Sequence, residues 1–286
     1  MMIGIIGGSG LYNLDGMEDL REVTLTTPFG NPSGPYTTGR LHGRPVAFLA
    51  RHGAGHRLTP SEIPYKANIW GLKKLGATHL IAISAVGSLK ESIEPGHIVF
   101  PDQFIDRTRL RDSTFFGRGV VAHVQFGDPV CPHLFKQLVS AGKQVGAVCH
   151  PGGTYLCMEG PAFSTRAESN LYRSWGASVI GMTNLQEAKL AREAELCFGT
   201  IALSTDYDCW HESNEQVTIE AVLEVMRKNV ETAKRILAVA IAGLGEDRPC
   251  PCPSAVKNAI VTPPDRIPRE TLRDLEPILG KYIPSV

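Results

Sequence analysis

Six short runs of aliphatic and β-branched residues, at 2–6, 45–50, 79–84, 97–100, 178–182 and 198–205, constrain this chain more than any other feature. They are nearly continuous in apolar character, which suits strands buried on both faces. Helix-like stretches separate them. One over 65–75 stops at Gly76, and one over 133–141 stops at Gly142. A third, up to Gly176, opens on the capping box Thr165-x-x-Glu168. A fourth over 184–196 opens on Asn184-x-x-Glu187, read as another cap. In the longest, 218–244, apolar residues such as Ile219, Val222, Met226, Val230, Leu237 and Ile241 step by three and four along one face. The alternation predicts an α/β fold, a single domain over 1–246 with a central mixed β-sheet flanked by helices. Residues 247–286 read as an extension. It opens on the breakers Arg248-Pro-Cys-Pro-Cys-Pro, continues past Pro263-Pro264, and carries a short helix near 269–279 that packs on the body or on a neighbouring subunit.

Composition removes whole classes of function. The 286 residues are 43% hydrophobic, and 29 basic side chains balance 29 acidic ones. A disordered chain is poorer in apolar residues, and a nucleic-acid binder carries a basic surplus, so neither description fits. No apolar run reaches membrane-spanning length, and no basic stretch precedes Ile3, so a cytoplasmic protein with no membrane partner is expected. Seven cysteines are present. Cys131, Cys149, Cys157, Cys197 and Cys209 stand apart from one another without the spacing of a zinc site, so idle reduced thiols and no metal are expected. Cys250-Pro-Cys252 is the one close pair, either free or a strained bridge.

Several strand ends carry chemistry. Gly4-Ile-Ile-Gly7-Gly8-Ser9-Gly10 leaves the first run; it lacks the third glycine of a dinucleotide fingerprint and the lysine of a P-loop, and reads as an anion loop or a tight turn. Arg51-His52 follows the second run, where ligands of open α/β sheets gather; it reads either as a solvated pair in a loop or as a guanidinium matched to phosphate oxygens. Ser84-Ala85-Val86-Gly87-Ser88 is read as a third strand-end loop with a hydroxyl and backbone donors. Phe163, in Glu159-Gly160-Pro161-Ala162-Phe163-Ser164, either stacks on a flat ring or fills core. Asp206 and Asp208 close the last run; two carboxylates after an apolar strand are costly unless paired or used, and they read as a solvated loop, as a pair addressing a donor-rich heterocycle, or with His211 as a metal site.

These motifs, with Met182-Thr183 and Asp206-Tyr207-Asp208-Cys209-Trp210, resemble in order those of the S-methyl-5'-thioadenosine phosphorylases, a branch of the trimeric purine nucleoside phosphorylase family. The resemblance spans roughly residues 3–244. It implies attack of inorganic phosphate, a co-substrate, on C1' of a thionucleoside, releasing adenine and 5-methylthioribose 1-phosphate without metal or organic cofactor. Carried over residue by residue, it implies phosphate contacts from Ser9, Arg51, His52, Ser84, Ala85 and Thr183. Met182 would lie under the ribose, Phe163 beside the purine, and Asp206, Tyr207 and Asp208 along its edge, with Asp206 as catalytic acid. His123 would reach a neighbour's substrate, which implies a homotrimer or a dimer of trimers. Asp206 stands where the 6-oxopurine branch carries Asn, and Ser164 where that branch carries an acid; both favour 6-amino purines. Gly181 stands where adenosine-type members usually carry Asn, which keeps 6-oxopurine nucleosides (inosine, guanosine, methylthioinosine) and plain adenosine open as substrates. Ile219 and Val222 would offer an apolar wall to the methylthio group, or serve as ordinary helix core.

Overall fold

The computed structural model describes residues 1–8, 10–11, 14–211 and 219–283, the side chains of 219–223 excepted. The strands are β1 (Met2–Gly7), β2 (Glu18–Val23), β3 (Tyr36–Leu41), β4 (Arg44–Ala50), β5 (Ala77–Ser88), β6 (Ile98–Phe100), β7 (Gln103–Arg107), β8 (Cys149–Pro151), β9 (Thr154–Met158), β10 (Val179–Gly181) and β11 (Cys197–Tyr207). The helices are α1 (Tyr65–Lys74), α2 (Pro132–Gln144), α3 (Arg166–Ser174), α4 (Asn184–Glu193), α5 (Ile219–Gly243), α6 (Arg269–Asp274) and α7 (Glu276–Leu279).

The sheet is mixed, as the continuous apolar runs predict. β1 lies parallel to β4 and β5, and β5 runs parallel to β11 over its whole length. β10 joins the far half of β5 in antiparallel sense and leads on to β9 and β7. The long strand β5 thus serves two sub-sheets. Alternate residues of one strand feed opposite cores. Val46 and Phe48 of β4 belong to the core that α2 and α5 help close, whereas Ala47 and Leu49 belong to the one that α1 and α4 help close. Each fully buried aliphatic or aromatic side chain there contributes about 1.5–3 kcal/mol of transfer free energy, which is why interruptions of these runs are rare.

Several sequence expectations need correcting. β2 was not foreseen because its residues are exposed at a sheet edge, so no buried face marks its sequence. The strands β3, β7, β8 and β9 also have no counterpart among the six runs. Ser84–Ser88 is not a loop but the continuation of β5, because β11 and β10 pair with it on both sides. Asn184 and Glu187 do not form a cap: Thr183 is the N-cap of α4, and Glu187 turns inward. The Thr165 capping box at α3 is present in both directions. The tail packs on its own body. Trp70 Nε1 donates to the Asp274 carbonyl at 2.9 Å, and Ile267, Leu275, Ile278 and Leu279 complete the core over α1.

Candidate active site

Three parallel strands deliver the chemistry to one place. β1 pairs with β4 up to Gly7 opposite Ala50, and with β5 up to Ile6 opposite Ala82. Gly8 and Arg51 therefore emerge just past the carboxyl ends of β1 and β4, beside Ser84 within the longer β5, at the usual ligand crevice of such sheets. They line a cavity of about 510 Å³. His52, Ala85, Phe163, Met182, Thr183, Asp206 and Asp208 line it too.

Arg51 is fixed before any ligand arrives. Its Nε donates to Glu187 Oε1 at 2.5 Å, its Nη2 to Glu187 Oε2 at 2.8 Å, and its Nη1 to the Ile83 carbonyl at 3.0 Å. Both side chains of this ion pair are almost wholly buried. Burial alone would push the guanidinium down, but the charge and hydrogen bonds of Glu187 outweigh it and raise its pKa, so Arg51 stays a cation. A guanidinium has five N–H groups, so this clamp leaves donors on Nη1 and Nη2 beside the cavity. Gly8 owes its identity to this clamp. A Cβ there would fall 2.7 Å from Arg51 Nη1 and 2.7 Å from the Ile83 carbonyl oxygen. The glycine loop makes room for the guanidinium.

Around it stand hydroxyls and an imidazole. Ser84 Oγ lies 3.0 Å from the Tyr155 hydroxyl. Thr183 heads α4 without spending its hydroxyl on a cap bond. His52 Nδ1 lies 2.8 Å from the Leu58 carbonyl, a contact it can make only as donor, and its ring stacks on His56 at 4.1 Å. Burial pushes His52 down to about 4, with the Leu58 bond opposing and Arg51 and His56 reinforcing the shift. The ring is neutral at pH 7 with the proton on Nδ1. Nε2 is then an acceptor, and donation from it to an anion requires the imidazolium.

Another part of the same lining carries the acid. The β5–β11 register slips between Ser204 and Asp206, so Thr205 is an extra residue and Asp206 lies opposite Gly87. Such a bulge re-aims a side chain. A Cβ on Gly87 would fall 3.1 Å from Asp206 Oδ1 and 3.4 Å from Asp208 Cβ, so any larger residue would press Asp206 aside by a few tenths of an ångström. Thr205 Oγ1 donates to Asp206 Oδ2 at 2.6 Å. Burial raises the Asp206 pKa; the Thr205 bond lowers it in part, and the neighbouring Asp208 raises it again. Asp206 is thus biased toward holding a proton.

Three residues whose roles no local pattern gives away, Arg111, Tyr155 and Glu187, shape the site. Arg111 Nε donates to Glu159 at 3.0 Å, while its Nη atoms reach the carbonyls of Met158, Glu159 and Met182 and the Gln186 side chain at 3.1 Å. It ties the Met182 strand end to the segment that carries Phe163. Nothing marked it in sequence, since it is one arginine in a loop. Tyr155 explains Gly181: its hydroxyl occupies the place a Cβ at 181 would need. Glu187 was visible only as an acid in a first helical turn, the commonest surface pattern there is.

The remaining candidates divide. Phe163 is 83% exposed at the cavity mouth. Tyr207 hydrogen-bonds the Glu91 carbonyl at 3.1 Å and stacks on His211, away from the cavity wall. Ser164 is buried between Met158 and Cys209 and does not line the cavity. His123 lines a second cavity with Gln103, Arg192 and Asn258. Ser9 lies outside the described residues, as do the side chains of Ile219 and Val222. Met226, further along α5, does reach the main cavity.

Comparison with known proteins now bears on this geometry. A family model described as the phosphorylase superfamily matches residues 2–242. An S-methyl-5'-thioadenosine phosphorylase of Geobacter sulfurreducens is 58% identical over 283 residues, covering 99% of both chains. The chain belongs to the phosphorylase superfamily, in its S-methyl-5'-thioadenosine phosphorylase branch. A relative of the same name from Koribacter versatilis is 58% identical over 280 residues, covering 98% of this chain and 96% of its own. Among solved structures, a methylthioadenosine phosphorylase from an antarctic soil metagenomic library superposes with a TM-score of 0.93 at 47% identity, covering 97% of this chain and 98% of that one. An adenosine/methylthioadenosine phosphorylase variant of Schistosoma mansoni in complex with methylthioadenosine gives 0.82 at 35% identity, covering 86% and 93%. The family resemblance read from the ordered motifs therefore holds, and so does the α/β class.

Proposed function

We propose that this protein cleaves S-methyl-5'-thioadenosine with inorganic phosphate, giving adenine and 5-methylthioribose 1-phosphate. The observation that carries this is a single cavity lined both by a clamped, charged Arg51 and by Asp206, whose pKa burial raises. Phosphate sits against Arg51, Ser84, Thr183 and the backbone after β1. Bond cleavage builds positive charge at C1', which the adjacent phosphate offsets. A phosphate oxygen bonds C1' as the C1'–N9 bond breaks. Its electron pair passes into the purine, and protonated Asp206 delivers a proton to N7, general-acid help of about 10²–10⁴-fold. The proton that phosphate gives up balances the one Asp206 supplies. A carboxyl group that donates to N7 and accepts from N6 suits a 6-amino purine. Met182 and Met226 give the sugar and its 5' thioether an apolar floor and wall.

His123 lies outside this cavity, which supports a role toward a neighbouring copy in the homotrimer that the family resemblance implies. Among the described residues no helix is long and apolar enough to cross a membrane. The test is adenine release from methylthioadenosine with and without phosphate. Turnover that depends on phosphate is expected; equal release in its absence would make the protein a hydrolase.

A further inference from the structure

Four of the seven cysteines meet far from the cavity. The Sγ atoms of Cys131, Cys197, Cys250 and Cys252 all lie within 4.8 Å of one another, and Cys197 and Cys250 are 3.5 Å apart. All four are free thiols. Three are buried and Cys250 is half-buried. The expectation that these thiols are isolated fails because three separate elements bring them together. Cys131 is the N-cap of α2, Cys197 opens β11, and Cys250-Pro251-Cys252 belongs to the returning tail. The spacing along the chain is far longer than that of a zinc ribbon, so no sequence pattern could mark it.

We propose that Cys131, Cys197, Cys250 and Cys252 form a tetrathiolate site for one zinc ion, which clips the C-terminal extension to the sheet. Zinc–thiolate bonds of about 2.3 Å in a tetrahedron put sulfurs about 3.8 Å apart. Four sulfurs that already lie mutually within 4.8 Å reach that arrangement by shifts well under 1 Å, on the order of a rotamer adjustment. Two disulfides would need contact only in pairs. Convergence of all four on one point is what a tetrahedral ion requires. Binding releases four protons and leaves a centre of net charge −2, and part of its compensation is already in place. The Leu134 N–H in the first turn of α2 donates to Cys131 Sγ at 3.5 Å, so the positive end of that helix faces the sulfur. Closing loops of this length through the metal also restricts the unfolded chain. The site is remote from catalysis: Cys197 and Asp206 stand at opposite ends of β11, roughly 30 Å apart at strand rise.

The experiment uses the full chain, isolated under argon. Seven thiols per chain are expected in denaturant. The reduced chain should bind one zinc, released on titration of four thiols by a mercurial reagent. Cobalt(II) in place of zinc should give the intense visible bands of a tetrahedral thiolate site with near-ultraviolet charge transfer. Cys250→Ser should abolish those bands and weaken zinc binding at least tenfold, with phosphorolysis unchanged; Cys149→Ser, outside the cluster, should keep both. Fewer than seven thiols in the anaerobic chain, or less than half a zinc per reduced chain, overturns the proposal.

Discussion

Replacing Glu187 by Gln removes the charge at nearly constant shape and turns one of the two acceptors of Arg51 into a donor, which makes it a direct probe of how Arg51 is held. Two charge-assisted bonds at 2.5 and 2.8 Å join these side chains, and both are almost fully excluded from water. The glutamine oxygen can still accept from one guanidinium nitrogen, but its NH₂ then faces an N–H donor. The guanidinium keeps its charge with no counter-ion. Breaking one side of a buried pair costs about 3–5 kcal/mol. At roughly 2–4 °C per kcal/mol for a chain of this size, the melting temperature should fall by about 6–20 °C in phosphate-free buffer. Phosphate supplies the missing negative charge, so it should stabilise the variant more than the wild-type protein. The assay is a thermal melt with and without phosphate, alongside the phosphate KM. A variant that melts with the wild type, and responds to phosphate no differently, would refute the idea that Glu187 neutralises and positions Arg51.

Three further outcomes are expected. Gly87→Ala puts a methyl group 3.1 Å from Asp206 Oδ1 and 3.2 Å from Ile180 Cγ2; displacement of the acid should lower kcat by about 10–100-fold with the phosphate KM little changed, and an unaltered kcat would show that Asp206 can move freely. Asp206→Asn should cut methylthioadenosine turnover by about 10²–10⁴-fold and shift the rate ratio toward inosine or methylthioinosine; an unchanged ratio removes this acid from base selection. The His52 ring should titrate near 4 in the phosphate-free protein, seen in its proton resonances. Because the unfolded chain takes that proton first, His52 contributes stability that is lost as pH falls from about 6.5 to about 4; a midpoint near 6.5 would mean a solvated ring.

How much of this was legible in the sequence follows from what each feature needs. The apolar runs that become β1, β4, β5 and β11 read correctly, because burial on both faces leaves a local signature. Arg51, His52, Thr183 and Asp206 could be singled out because each sits at or near the end of such a run, and all four line the one cavity. The clamp was not. Glu187 lies 136 residues from Arg51, and Arg111 gathers carbonyls from 47 to 71 residues away; neither leaves a mark within a window. The glycines were legible as glycines but not by purpose. Gly8 yields to Arg51, Gly87 to Asp206 and Gly181 to Tyr155, so each records a neighbour supplied by a distant segment. The cysteine cluster is the same lesson at larger separation.

The central claim is that one cavity holds phosphate on Arg51 while Asp206 protonates the departing purine. A crystal structure with phosphate and a non-cleavable methylthioadenosine analogue tests it directly. The account predicts phosphate oxygens about 2.7–3.0 Å from Arg51 Nη1 or Nη2 and Asp206 within about the same distance of purine N7. Phosphate bound away from Arg51, or a purine whose N7 faces no carboxyl group, would contradict it.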